Sequence, residues 1–363
     1  MSSGRVGALR DLLKAAELDA LIVSSPTNIR YLTGFTGSNG TVAITLNSAT
    51  LITDSRYTER ANEELAAVAA EVGVEFDVVI AGGLGRESLA TLLEGVPVIG
   101  LEADDLSWST ATALQQLLSP ARLEPTSELV EGLRELKSDS EVELIRKAAA
   151  IADAALTDVV ERGLLGSSER EVQRALDRRA LELGADGASF DTIVASGPNG
   201  SRPHHEAGDR VIESGDLVII DFGAEVRGYR SDMTRSFVLG QPTSQQQTML
   251  DAVHVAQAAG VDAVSPGVVT SAIDEACRAV LAEKDLGKFF THGTGHGVGL
   301  DIHEAPSVNS KSTATLAPGH VITVEPGVYI PEVGGVRWED TVLVTEAGAE
   351  TLTNSPKQPL IDP

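Results

Sequence analysis

The most constraining feature of this chain is four carboxylates set in two matched contexts between Leu217 and Glu339. Asp221 closes the apolar run Leu217–Ile220, and Asp232 lies on the return strand of LVIIDFGAEVRGYRSDMTRSF. Glu325 follows Val321–Val324 in the same manner, pinned by Pro326-Gly327, and Glu339 sits within Val336–Val344. Such continuous apolar runs read as strands buried on both faces. A carboxylate at the mouth of one is costly unless it is paired, hydrogen-bonded or bound to metal. Any one of these acids alone reads equally well as a turn cap or an arginine partner. Four at matched positions, with His296 of HGTGHGVGLDIHE between them, point instead to a metal site.

The surrounding pattern repeats weakly. Asp139 opens a long helix whose apolar stripe is Leu144, Ala148, Ile151, Ala155 and Val159; Gly163 and Gly166 end it. Ser168 with Glu171 is a capping box for a second helix through Leu183, followed by a strand at Phe190–Ala195 and the first carboxylate pair. Helices over Ser244–Ala259 and Val269–Lys284 then lead to the second pair. Two half-sites of two carboxylates each would face one another in a single nest.

Ahead of this region, 1–125 alternates helix and strand. Leu9, Leu12, Leu13 and Ala16 recur at helical spacing. Strands follow at Asp19–Val23, Thr41–Leu46, Thr50–Thr53, Phe76–Ile80 and Val96–Leu101, the last with Pro97 suited to an edge or a first position. Helices are expected over 55–70, 86–94 and 105–118. Pro125 and Thr126-Ser127-Glu128 mark the boundary. The chain is thus α/β (α+β) in class, with an N-terminal α/β domain over 1–130 and a second domain over 131–363 that carries the constellation.

The 363 residues suit two domains. The net charge of −25 argues against a nucleic-acid partner, which needs a basic patch. No run of about 18 apolar residues suggests a membrane span. MSSGRVGALRDLLKAAELDA has no apolar signal core and reads as an amphipathic helix. With Cys277 the only cysteine, no internal disulfide can form, and a cytoplasmic location is expected.

Of the seven histidines, five cluster as His204-His205 and as His292, His296 and His303. His292 and His296 are spaced like the paired ligands of a zinc helix. The alternating glycines of GTGHGVG rule out a helix there and suit a tight loop closing on a ligand. His254 and His320 read as satisfied core residues. A site of carboxylate oxygens with one imidazole favours Mn²⁺, with Co²⁺ or Zn²⁺ as alternatives, over a structural zinc. Four carboxylates exceed what one ion with an open position needs. Two divalent metal ions fit, and such a pair lowers the pKa of a shared water and polarises a carbonyl, which is equipment for hydrolysis. There is no G-x-S-x-G elbow.

Together FDTIVASGPNGSRPHH, DFGAEVRGYRSDMTR, HGTGHGVGLDIHE, VEPGVYIPE and GGVRWEDTVLV resemble the metallopeptidases of the methionine aminopeptidase, prolidase and aminopeptidase P group (family M24, pita-bread fold). NIRYLTGFTGSNG and LITDSRYTERA resemble the N-terminal domain of the Xaa-Pro peptidases. The resemblance implies a creatinase/prolidase-type first domain and a pita-bread catalytic domain with a pseudo-two-fold repeat. It implies that Asp221 chelates one metal, Asp232 and Glu339 bridge both, and His296 and Glu325 complete the other. Glu325 would also serve as general base. His204 and His303 match histidines that hold the scissile carbonyl and move protons to the leaving nitrogen, and His292 one near the proline-side pocket. Arg337 and Tyr329 match residues lining the site. His205 matches nothing assigned, and Trp338 departs from the small aliphatic residue usual at its position. The substrates implied are short proline-containing peptides, cut between an N-terminal residue and proline, as by aminopeptidase P. A homodimer is implied, in which the first domain caps a partner's site and limits substrate length.

The nearest alternative is a strict Xaa-Pro dipeptidase (prolidase). Methionine aminopeptidases usually lack a large first domain of this kind. A metal-free creatinase-like hydrolase, or a non-catalytic binding module on the same fold, would be expected to have lost ligands that are all present here.

Overall fold

The computed structural model describes residues 4–82 and 85–361. The chain divides into two compact units, Met1–Arg134 and Glu135–Pro363.

In the first unit, α1 (Gly4–Ala15) buries Leu9 and Leu13 of the expected stripe together with Val6, whereas Leu12 is half-buried and Ala16, past the helix end, is exposed. The remaining elements are β1 (Ala20–Val23), α2 (Pro26–Thr33), β2 (Gly40–Thr45), β3 (Ala49–Thr53), α3 (Thr58–Val72), β4 (Asp77–Ile80), α4 (Arg86–Leu92), β5 (Val98–Glu102), α5 (Trp108–Leu117), β6 (Arg122–Thr126) and the single turn α6 (Glu131–Arg134). They form one six-stranded sheet ordered β4-β3-β2-β1-β5-β6. Helix α2 was not anticipated, although Pro26 in its first turn and a left-handed Gly34 at its end are ordinary stop and start signals. Pro97 lies just before β5, which is internal between β1 and β6 and not an edge. The segment expected as a linker around Pro125 belongs instead to β6, the true edge strand, where a missing N–H is tolerated.

The second unit begins with α7 (Asp139–Glu161) and α8 (Glu169–Glu182). Ser168 and Glu171 exchange capping bonds at the start of α8, with Ser168 N–H donating to Glu171 Oε2 at 2.8 Å. The buried stripe of α7 includes Val142, Ile145, Ala152 and Leu156 as well as Ala148, Ala155 and Val159, whereas Leu144 and Ile151 are only half-buried. The apolar face is thus turned slightly from the expected one. There follow β7 (Gly187–Ala188), β8 (Ile193–Ser196), β9 (Leu217–Phe222), β10 (Ala224–Val226), β11 (Tyr229–Arg230) and β12 (Met233–Leu239). The second half has α9 (Ser244–Asp262), α10 (Thr270–Glu283), β13 (Gly295–Gly297), β14 (Glu304–Val308), β15 (Val321–Val324), β16 (Gly327–Ile330), β17 (Gly334–Arg337), β18 (Asp340–Thr345), β19 (Gly348–Thr351) and β20 (Leu360–Ile361).

The faint repeat is a real duplication of hydrogen bonds. Strands β8, β9 and β12 pair antiparallel in that order, as do β13, β15 and β18. Gly166 N–H bonds Ile212 O and Ile212 N–H bonds Ser167 O; Gly267 N–H bonds Leu316 O and Leu316 N–H bonds Val268 O. Each half packs its helices on its own sheet around its own apolar core, one holding Ala152, Leu176 and Ile220, the other Val253, Cys277 and Ile322. The first core closes over β9, the second over β15, and these are the strands that deliver Asp221 and Glu325. Among the described residues no helix is long and apolar enough to cross a membrane.

Candidate metal centre

Each of the four acids stands at a strand end. Asp221 is the penultimate residue of β9 and pairs with Thr234 of β12. Asp232 immediately precedes β12, and Glu325 lies between β15 and β16. The strand expected over Val336–Val344 breaks in two at Trp338-Glu339, so Glu339 sits at the junction of β17 and β18. Its N–H bonds Thr234 O at 3.2 Å, which ties the two halves together at the acids themselves. Thr234 Oγ1 donates to Glu339 Oε2 at 2.6 Å and accepts from Arg337 Nε at 2.9 Å.

The histidine loop is a strand. In β13, a Cβ on Gly295 would stand 2.0 Å from Thr323 O and one on Gly297 2.2 Å from Ala305 O. These glycines serve close approach of neighbouring backbone rather than of a ligand, which corrects the expectation of a ligand-closing loop. His296 donates from Nδ1 to Gly297 O at 3.0 Å, so Nε2 is the ring nitrogen turned toward the acids. That Nε2 lies 3.3 Å from Glu325 Oε1 and 3.6 Å from Asp232 Oδ2. Asp232, His296 and Glu339 each bring a ligand atom within 4.8 Å of the others.

Charge is poorly compensated here. Arg337, itself buried, is the neighbouring cation, and its NH2 donates to Asp221 Oδ2 at 2.5 Å. Asp221 Oδ1 is buried without a hydrogen-bond partner. Burial first, and the neighbouring acids second, push Asp232 and Glu339 well above the usual carboxylate range; burial also raises Asp221, against Arg337. Burial acts upward on Glu325 too, but the hydrogen bond and charge of His296 outweigh it and bring it down to about 2. For His296, burial pulls downward and Glu325 overrides it upward. Four carboxylates in one low-dielectric nest cannot all be ionised without cations. An orphaned oxygen, an imidazole nitrogen oriented toward the acids and carboxylates forced toward protonation fit a divalent-cation site of oxygen-rich type.

The nest lies in a cleft of about 1190 Å³ lined by His204, His292, His303 and Arg337 as well as by the five candidate ligands. Tyr329 does not line it: it is buried behind, accepting from Arg337 NH1 at 2.8 Å. His292 donates from Nδ1 to Gly293 O, so its Nε2 accepts from Tyr329 Oη at 2.9 Å. Burial lowers the pKa of His292; burial and then the neighbouring His296 lower that of His303, whose ring meets the His296 ring edge-on at 4.4 Å. Arg278 was missed in the sequence. It stacks on Phe290, donates to Phe290 O and to His292 O, and is held by Asp274. Its signal was an acid–base pair one turn apart on α10, which reads as an ordinary surface pair. His320 is buried and bonded as expected, whereas His254 is exposed on α9 with its ring 5.8 Å from that of Trp338. His254 faces outward because the helix turns Ala252 and Val253 to the core instead.

A duplicated α/β framework with an acid-rich metal nest at its centre and imidazoles along one cleft defines a metal-dependent hydrolase. Residues 143–346 match metallopeptidase family M24 and residues 5–136 the creatinase/prolidase N-terminal domain. The chain is 34% identical over 355 residues to the Xaa-Pro dipeptidase of Pyrococcus horikoshii, covering 98% of each. Among solved structures it is similar to an Xaa-Pro dipeptidase from Bacillus anthracis (TM-score 0.94, 39% identity, covering 98% of this chain and 99% of the other). It is also similar to an X-Pro aminopeptidase from Thermotoga maritima (TM-score 0.87, 32% identity, 95% and 98%). The chain belongs to metallopeptidase family M24, and its fold is the pita-bread domain behind a creatinase-type domain.

Proposed function

We propose that this chain is a dinuclear metal-dependent Xaa-Pro peptidase that hydrolyses the bond between an N-terminal residue and proline in short peptides, acting as an aminopeptidase P. The observation that carries the metal chemistry is the under-compensated nest of Asp221, Asp232, Glu325 and Glu339 around His296 Nε2. Asp221, Asp232, His296, Glu325 and Glu339 would hold the two ions between them. Mn²⁺ suits this donor set, with Co²⁺ or Zn²⁺ as alternatives. When bound, two such ions supply Lewis-acid polarisation of the scissile carbonyl and a water activated at neutral pH.

The remaining roles belong to the protein. Glu325 would accept a proton from the attacking water. His303 and His204 orient the carbonyl and carry the proton to the leaving nitrogen. His292, fixed through Tyr329 to Arg337, stands on the proline side. Arg337 also holds Asp221 in place and keeps the Tyr329–His292 chain aligned.

The proline preference rests on the relatives, two of which are named Xaa-Pro dipeptidase and one X-Pro aminopeptidase. The dipeptidase names favour a second reading, strict cleavage of Xaa-Pro dipeptides. Hydrolysis of Ala-Pro, Ala-Pro-Ala and Ala-Ala-Ala, after Mn²⁺ loading and after chelation, separates them. Metal-dependent cleavage of both proline substrates supports the aminopeptidase. Cleavage of Ala-Pro alone supports the dipeptidase, and indifference to chelation overturns both.

A further inference from the structure

His204 stands in a loop, 197–208, that forms the first part of the connection from β8 to β9, and His204 itself is exposed. Besides backbone contacts such as Arg170 N–H to Gly208 O, one buried carboxylate binds this segment on both sides of His204. Glu169, the first residue of α8, is 0% exposed and accepts five hydrogen bonds. Its Oε1 receives Ser196 N–H at 2.8 Å, Ser196 Oγ at 2.7 Å and Asn199 Nδ2 at 2.9 Å. Its Oε2 receives His205 Nε2 at 2.8 Å and Gly208 N–H at 3.1 Å. The first three donors sit at the entry of the loop and the last two at its exit. The position at the helix N-terminus favours the negative charge.

We propose that Glu169 is the positioning residue for His204, and that His205 is the side chain through which it acts. One carboxylate gathers both ends of the loop, and the contact beside His204 is made by its sequence neighbour. This rests on the reading of His204 as a group that faces the scissile bond. It gives His205, and the buried acid hidden in a capping box, a role in the reaction without contact with substrate.

Glu169→Gln is the sharpest probe. In one orientation its NH₂ meets Gly208 N–H, in the other Ser196 N–H, so neither restores the set. His205→Phe removes one donor and carries the same test should Glu169→Gln fail to fold. Both are compared in the full-length, metal-loaded enzyme, with metal content, kcat and KM for Ala-Pro-Ala, and amide hydrogen exchange over 197–208. The expected result is a fall in kcat of about tenfold or more, unchanged metal content, and faster exchange confined to that segment. In a His204→Ala background the same substitutions should cost nothing further. His205→Gln, which can still donate to Glu169, should recover most of the loss. Equal costs in both backgrounds, or wild-type exchange over 197–208, would overturn the proposal. If the wild-type enzyme fails to cut proline peptides, the function reading falls, while hydrogen exchange still decides whether Glu169 holds the loop.

Discussion

Glu339 and Asp340 are consecutive and each is 1% exposed, yet they serve opposite sides of the same chain segment. Asp340 is saturated. Its Oδ1 accepts from Arg235 NH2 at 2.8 Å and Thr353 Oγ1 at 2.9 Å, and its Oδ2 accepts from Gln257 Nε2 at 2.9 Å and from Lys357 Nζ. Glu339 has Thr234 Oγ1 as its donor and shares its surroundings with Asp221, Glu325 and Asp232, which all push against its ionisation or are pushed by it. A buried carboxylate with cations supplied by the protein is a structural tie. One with other carboxylates for company is built for a cation from outside. Arg235 links the two, since its NH1 donates to Glu339 O while its NH2 holds Asp340.

The largest difference should come from activity. Glu339→Gln is expected to lower kcat/KM by about a hundredfold or more and to lose metal. The metal-free fold should stay as stable as wild type, because Gln mimics the neutral carboxyl that burial and the neighbouring acids favour there. Metal analysis and thermal melts under chelator check this, and a variant that keeps two metals per chain breaks the contrast. Asp340→Ala should do the reverse. By leaving Arg235 buried without its carboxylate, it should destabilise by about 3–5 kcal/mol in urea titration. Metal stoichiometry at low temperature should survive. A variant as stable as wild type would show that Asp340 is no tie.

The smallest effect is a trend with pH. Asp232 and Glu339 have folded pKa values raised above those of the unfolded chain. Their contribution to stability is therefore complete below about pH 4 and is lost as pH climbs through the folded values. His292 and His303, shifted down, act in the opposite sense, but above about pH 7 they are neutral in both states. As pH rises above about 7, Tm of the metal-free protein should fall relative to that of the loaded protein, whose carboxylates are kept deprotonated by the bound metal. A gap that narrows with pH counts against the nest as a cation site.

Much of the centre was legible in the chain because strand-end acids announce themselves. An apolar run that terminates in Asp221 or Glu325 leaves few inexpensive fates for the carboxylate, and two matched hairpins make the coincidence specific. Local chemistry likewise exposed the capping box of α8 and the two successive strands β2 and β3. The repeat was faint because the duplication is kept in backbone bonds, such as those of Gly166 and Gly267, and hardly in side-chain identity.

Other features depend on partners far away in sequence. Nothing near Asp340 foretells Gln257, and nothing near Glu169 foretells Asn199 or His205. The glycines around His296 looked like room for a ligand and proved to be room for Thr323 and Ala305. By itself, then, the sequence singled out the acids that the fold gathers into one nest, since burying charge at strand ends is costly wherever the chain goes. Only the tertiary structure decided which of those charges are compensated, because a distant donor must be carried within about 3 Å before a hydrogen bond exists.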